Sequence, residues 1–213
     1  MVDDGSSDES HKLLKNFIIN KKNFRLIKNK HQGKAAAVTS GVLKSNGEII
    51  LFSDLDQATP LSEIERILPY FNKGYQVVIG SRNNRRRGAP ILRRAMAKGF
   101  MILRNLILNL GIKDTQCGFK AFKKEAALSI FPHLTVFSLK RFAKGSTVTA
   151  GFDIEVLYLA KLLKYKIAEV PVEWHYQETR NVSPIKDSLE SLIDLLRIKH
   201  NSLTGLYQKI IHA

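Results

Sequence analysis

Two aspartates one residue apart, Asp54 and Asp56, stand where a strand runs out. Glu48 to Phe52 reads as a buried strand, and Thr59-Pro60 opens a helix as N-cap and first helical residue. Carboxylates at the carboxyl end of a strand in an open α/β sheet lie where such sheets bind their ligands. Two hard oxygen donors at this spacing suit Mg²⁺ or Mn²⁺, leaving other coordination positions to water and a diphosphate. Any surface pair of aspartates after a strand would look the same, so the remaining chemistry-bearing residues have to decide.

Asp3-Asp4-Gly5-Ser6 offers carboxylates that can accept from a base N–H or ribose hydroxyls, or can form an Asx-type turn capping the next helix. Gly33-Lys34 opens a helix whose N-terminal N–H groups and lysine could hold a phosphate, or it is a tight turn. Arg82, Arg85 to Arg87, Arg93 and Arg94 form a dense cationic run, suited to bidentate phosphate recognition or to a solvated face. Asp114 is a catalytic carboxylate, a cap or a surface residue. Asp153 and Glu155 at a helix start favour its dipole whatever else they do. Cys117 is expected to be small and buried, Trp174 to lie in the core, and His175 to be structural.

These residues need elements to position them. Ser10 to Asn20 is helical, with Leu13, Leu14, Phe17 and Ile18 on one face, and Phe24 to Lys28 is a short strand. Gly33 to Lys44 is a small-residue helix, Leu61 to Phe71 another, and Tyr75 to Ile79 a buried strand. The alternation predicts a parallel sheet with helices on both faces. Next, Pro90 starts a helix ending at Gly111, with Arg94, Lys98, Asn105 and Asn109 on one side and Arg93 and Arg104 beside them. A helix from Lys124 to Phe131, a loop over 134–149, a helix over 153–163 and a strand over 166–174 follow. Ser183-Pro184 caps a final amphipathic helix, its apolar face formed by Ile185, Leu189, Leu192, Ile193 and Leu196.

The 213 residues suffice for one substantial core, and the net charge of +15 calls for an anionic partner: nucleic acid, an anionic membrane or phosphorylated substrates. No nucleic-acid motif accompanies the charge, and the arginines follow the acidic loop, so nucleic acid is not the expected partner. One cysteine excludes an internal disulfide and fits a reducing compartment. The most apolar stretch, Ile91 to Leu110, is interrupted by Arg93, Arg94, Lys98 and Arg104, so it is not expected to span a membrane. Met1-Val2-Asp3-Asp4 reads as the end of a strand, and an upstream strand and helix are expected.

Taken in order, the segments resemble glycosyltransferase family 2, and within it the polyprenyl- and dolichyl-phosphate sugar synthases. The resemblance rests on Val2 to Asp8, Asn29 to Lys34, Ser53 to Gln57, Gly80-Ser81-Arg82, Arg93-Arg94, Asp114 to Lys120, Phe152 to Glu155, and Glu169 to Trp174. The family's opening strand and its Pro-x-Tyr-Asn-Glu-like loop have no counterpart here. The resemblance implies a GT-A fold, with a catalytic domain over 1–175 and a basic acceptor loop and amphipathic, membrane-associated helix over 176–213. It implies an inverting transfer of a hexose from UDP-glucose or GDP-mannose to a polyprenyl phosphate, by a peripheral protein on the cytoplasmic face of a membrane. Asp54 and Asp56 would hold Mg²⁺ or Mn²⁺, and Asp3, Asp4, Lys34, Asp54 and Gln57 the donor. Arg82, Arg93, Arg94, Arg180 and Lys186 would meet the acceptor phosphate, with Asp114 and Asp153 positioning or acting as base. A polysaccharide or soluble acceptor, an inactive remnant, a basic binding module and a homo-oligomer are the other readings compatible with the sequence.

Overall fold

The computed structural model describes residues 1–82, 91–136, 150–175 and 184–212, with backbone alone for 91–97, 150 and 184–188. At its centre, four strands are ordered β3 (Ile49–Phe52), β5 (Lys120–Lys123), β4 (Val77–Ser81) and β6 (Ile167–Pro171). β4 and β6 pair in parallel, from Val77 opposite Ile167 to Ser81 opposite Pro171. β5 runs antiparallel to both β3 and β4. β3, β4 and β6 therefore share the direction expected from the alternation, and β5 reverses it. A separate parallel pair joins β1 (Val2–Asp3) to β2 (Ile27–Lys28).

β5 is absent from the expectations drawn from the sequence, and the reason is physical. Its four residues begin with Lys120, which is fully buried, and they pass directly into α5 (Lys124–Ile130). A charged residue facing the interior breaks the apolar signature of a central strand. Only its tertiary partners, described below, make that burial tolerable.

Strand alternation sends side chains to two faces, and each face builds a core. Val77, Ile79, Phe122 and Ile50 pack with α2 (Lys34–Leu43), α5, α6 (Ala150–Leu162), α7 (Pro184–Leu203) and α8 (Leu206–Ile211). Phe122 stacks on Phe52 at 6.1 Å and meets the edge of Phe131 at 5.4 Å, a favourable aromatic geometry. On the other face Val78, Ala121, Phe119, Ala168 and Val170 pack against Ile67 and Phe71 of α3 (Ile64–Asn72). Helices cover both faces, as the sequence pattern requires. α3 is entered by a 3₁₀ turn at Leu61–Glu63 rather than by a Thr59 cap: Thr59 is buried and its hydroxyl lies 3.9 Å from Cys117 Sγ.

Two helices turn differently from their predicted faces. α7 is anchored through Ser191, Asp194, Leu195 and Ile198, while Leu189, Ile193 and Leu196 are exposed. Gly151 permits this approach, since a Cβ there would lie 2.5 Å from the Asp194 side chain. In α4 (Ile91–Leu108) Arg104 is buried and Ile102, Leu103 and Leu106 are exposed, the reverse of an ordinary amphipathic placement. Leu13 and Phe17 of α1 (Ser10–Ile18) are likewise exposed. Trp174 is half-buried rather than a core residue. The loop expected over 134–149 lies outside the described residues from 137 onward.

Replacing Phe122, which is fully buried among Phe52, Phe131 and the sheet, with alanine is expected to cost about 3–5 kcal/mol. Urea unfolding followed by circular dichroism would read this as a lower midpoint with little change in slope.

Candidate active site

β3 ends at Phe52, and the acidic loop leaves the sheet immediately beyond it. The loop turns tightly: Gln57 N donates to Asp54 O at 3.2 Å, and Gln57 itself has φ 48°. Asp56 Oδ1 accepts from Ala58 N at 3.0 Å, and Leu55 between the two aspartates is 90% exposed. Asp54 Oδ1 receives the Lys34 ammonium at 2.7 Å from the first turn of α2. Gly118, just before β5, lies against the other side of Asp54, where a Cβ would come 1.8 Å from Oδ2. The glycine is therefore required by the close approach of this backbone to the acidic loop.

Beneath the loop Lys120 is sealed from solvent. Its Nζ donates to Cys117 O at 2.5 Å and pairs with Asp153 Oδ1 in α6, with the Phe52 ring 5.5 Å away. Burial disfavours the Lys34 ammonium, but Asp153, Asp54 and Asp56 outweigh it and hold its pKa above the ordinary lysine value. Lys34, Asp54, Asp56 and Asp153 thus share one electrostatic field. Cys117 is buried, as expected, and burial pushes its thiol pKa up.

Arg82 follows β4 directly. Its Nε and Nη2 each lie 2.7 Å from the Asp114 carboxylate, and its main-chain N donates to the same group at 2.9 Å. The guanidinium also lies 5.7 Å from the Trp174 ring, a cation–π distance. Burial works against its charge, yet Asp114 more than compensates and raises its pKa. Asp153 favours the charged forms of both Lys34 and Arg82, while its own direct partner is Lys120.

Asp3 and Asp4 are engaged within the chain. Asp3 Oδ1 accepts from Ser6 N at 2.9 Å and Oδ2 lies 2.8 Å from His11 Nδ1. Burial raises the Asp3 pKa, but the bonds from Ser6 and His11 prevail and hold it below its ordinary value. Asp4 accepts from Gly33 N at 2.6 Å and from Gln32 N at 3.2 Å, with His31 Nδ1 at 3.0 Å. Asp4 therefore ties the end of β1 to the turn that opens α2 and presents Lys34. Gly5 (φ 82°) makes room, since a Cβ there would lie 2.9 Å from His31 N.

The structure thus gathers Lys34, Asp54, Asp56, Asp153, Arg82 and Asp114, with Gln57 in the same acidic loop. Arg180 lies outside the described residues, as do the side chains of Arg93, Arg94 and Lys186. His175 is exposed, and its main-chain N donates to Ala58 O at 2.8 Å. Lys120, Gly118, Arg104 and Glu169 belong to the site's support; the sequence places them in motifs or on a helix side without giving them a role in the site. A lone charge inside an apolar run, as at Lys120 and Arg104, is the signal that could have found two of them.

A divalent cation fits these residues. Asp54 already holds a cation, the Lys34 ammonium, and its carboxylate offers hard oxygen donors. Among the described residues no cluster of three or more His, Cys, Asp or Glu could hold a metal, so the protein's share would be the two loop aspartates. That leaves an open coordination sphere, the arrangement Mg²⁺ and Mn²⁺ take with phosphates.

The model of glycosyl transferase family 2 matches residues 1–131. The chain belongs to glycosyl transferase family 2. Its curated relatives include dolichyl-phosphate beta-glucosyltransferases of Dictyostelium discoideum, at 34% identity over 98% of this chain and 64% of the relative. The human one is 33% identical over 98% of this chain and 65% of the relative. The chain thus spans just under two thirds of the length of these relatives. Mannosyl-3-phosphoglycerate synthase from Rubrobacter xylanophilus has the same fold, with TM-score 0.62 and 16% identity over 96% of this chain and 63% of that one. So does glucosyl-3-phosphoglycerate synthase from Mycobacterium tuberculosis, solved with Mn²⁺, UDP and glucosyl-3-phosphoglycerate (TM-score 0.61, 18% identity, 93% of this chain and 67% of that one). The architecture is the GT-A fold.

Two outcomes follow from this geometry. Gly118→Ala must displace Asp54, and Mn²⁺ affinity is expected to fall by about tenfold, the loss of one charge-assisted contact. Titration by electron paramagnetic resonance measures this, with circular dichroism confirming the fold. Because the folded pKa of Asp3 lies below its ordinary 3.8, its contribution to stability is present above that value. It is lost as pH falls through the folded pKa. Asp3→Asn should therefore flatten the acid limb of a stability–pH profile below about pH 4.

Proposed function

We propose that this family 2 chain transfers glucose, with inversion, from UDP-glucose to the phosphate of a dolichyl or other polyprenyl phosphate at a membrane surface. The observation that carries the reading is that the acidic loop after β3, with Lys34 on Asp54, and the Arg82–Asp114 pair after β4 leave one sheet on either side of β5. Two anionic substrates need two cationic groups, and Lys34 and Arg82 supply them. The names of the relatives and the UDP bound by the Mycobacterium tuberculosis enzyme support the choice of substrates.

In this reading Asp54 and Asp56 would hold Mg²⁺ or Mn²⁺, which would supply neutralisation of charge on the departing nucleotide. Lys34, paired with Asp54 in this structure, would meet the donor diphosphate. Gln57 faces the donor from the same loop, and Asp3 and Asp4 hold the nucleotide side by fixing the turns around it. Arg82 offers its fork to the acceptor phosphate, orienting it and stabilising developing charge. An acceptor phosphate is already anionic at neutral pH, so no strong general base is required. Asp114 and Asp153 are both in ion pairs, with Arg82 and Lys120, which suits positioning better than proton abstraction. Arg93, Arg94, Arg180 and Lys186 complete the acceptor-phosphate site by their place in the sequence.

The acceptor lives in a bilayer. Among the described residues no helix is long and apolar enough to cross a membrane. α7 nevertheless exposes Leu189, Ile193, Leu196 and Leu203, and α4 exposes Ile102, Leu103 and Leu106. With a net charge of +15, these surfaces favour peripheral attachment to an anionic leaflet, on the cytoplasmic side that one free cysteine suits. Residues 1–175 would then form the catalytic domain, and 176–213 the basic acceptor loop and amphipathic, membrane-associated helix.

Calorimetry with UDP-glucose and GDP-mannose, with and without Mn²⁺, tests the donor side. Metal-dependent binding of UDP-glucose is expected, lost in Asp56→Asn, which keeps an acceptor for Ala58 N. Unchanged affinity and metal dependence in that variant would sink the assignment. Flotation with anionic vesicles is expected to show binding that weakens as salt rises; absent or salt-insensitive binding would refute the membrane reading.

A further inference from the structure

The turn at residues 112–115 is gripped from two sides by charged side chains to which the proposed transfer gives no role. From α4, the buried Arg104 donates through Nη1 to Thr115 Oγ1 at 2.6 Å and through Nη2 to the carbonyls of Ile112 and Lys113. From β6, Glu169 accepts from Lys113 N at 3.0 Å on Oε2, and from Asp114 N at 2.8 Å and Ser81 Oγ at 2.7 Å on Oε1. One carboxylate thereby joins the residue before Arg82 to the backbone of its ion-pair partner. Both halves of the Arg82–Asp114 pair are referenced to the same group.

That arrangement places two carboxylates, Asp114 and Glu169, at one turn. Like charges so close are unfavourable unless cations answer them, and Arg82 and Arg104 do so. Burial lowers the Arg104 pKa, and Asp114 and Glu169 counter it. A neutral glutamine at 169 could not replace the carboxylate. It has one acceptor oxygen, and its NH₂ group would face an N–H that itself needs an acceptor. A carboxylate meeting three donors around one ion pair is therefore poorly replaced by an amide.

We infer that Glu169 is a positioning residue for the transfer: it sets the register between the end of β4 and the Asp114 turn, and so aims the Arg82 guanidinium. This rests on the reading of Arg82 as the group that meets phosphate. Arg104 braces the same turn from behind. The effect should reach the step Arg82 assists while leaving the acidic loop alone.

The chain supplies its own reporter, because Trp174 is its one tryptophan and its ring lies 5.7 Å from Arg82. In the full chain, Glu169→Gln should shift Trp174 emission and acrylamide quenching toward the values of Arg82→Ala. UDP·Mn²⁺ affinity should stay within about twofold while kcat for transfer to dolichyl phosphate falls about tenfold, with donor KM unchanged. Combined with Asp114→Asn, Glu169→Gln should add little further loss, because both act on Arg82. Wild-type emission and kcat in Glu169→Gln, or full additivity with Asp114→Asn, would overturn the inference. Should that variant fail to fold, Ser81→Ala removes one of the three donors to Glu169 and is read in the same ways. If the wild-type chain transfers no sugar, the fluorescence comparison alone still decides whether Glu169 aims Arg82, separately from the failure of the transfer reading.

Discussion

A lysine ammonium sealed beneath the acidic loop organises the site. Lys120 stands on β5, between the strand that ends in the loop, β3, and the strand that ends in Arg82, β4. Its charge is held by Asp153 of α6 and by the Cys117 carbonyl. Bringing an ammonium and a carboxylate out of water is costly, and attraction repays it only when the remaining hydrogen-bonding capacity is also used. Here the pair fixes β5 against α6, and fixing β5 fixes Gly118 against Asp54. The antiparallel strand thus stands between the strand that leads to the acidic loop and the strand that leads to Arg82.

Around that centre, each functional side chain is oriented by a polar contact one step further out. Asp4 holds the turn that presents Lys34. Gly118 shapes the wall that faces Asp54. Glu169 and Arg104 hold the turn that presents Asp114 to Arg82. The cations of the site are paired before any substrate arrives, Lys34 with Asp54 and Arg82 with Asp114. A paired cation is already ordered, so a phosphate binding there would replace an existing partner instead of organising a mobile side chain. The more a charge is shielded from water, the more that preorganisation contributes.

Much of this was legible in the residues, and what was not has identifiable causes. The loop around Asp54 and Asp56, the alternating strands and helices, and the cationic residue after β4 all follow from local pattern. β5 did not, because its buried lysine is stabilised by a partner 33 residues away. Arg104 was placed on a polar helix side, but it bonds the carbonyls of a neighbouring turn instead. The apolar periodicity of α7 is real, yet Leu189, Ile193 and Leu196 face outward while Leu195 and Ile198 make the core contacts. Periodicity shows that a helix has an apolar face; it does not show what that face meets. Trp174 followed the same logic, since an aromatic residue after a strand suggests a core until a guanidinium is found against it.

In the proposed reaction one site takes both anions, a nucleotide-sugar at the acidic loop and a lipid phosphate at Arg82. The most direct measurement is transfer of radiolabelled glucose from UDP-glucose to dolichyl phosphate in anionic vesicles, with Mn²⁺ or with chelator. The account predicts metal-dependent label in the lipid fraction, released by mild acid as glucose from a β-linked phosphodiester. Release of free glucose with no labelled lipid, or lipid labelling indifferent to chelator, would contradict it.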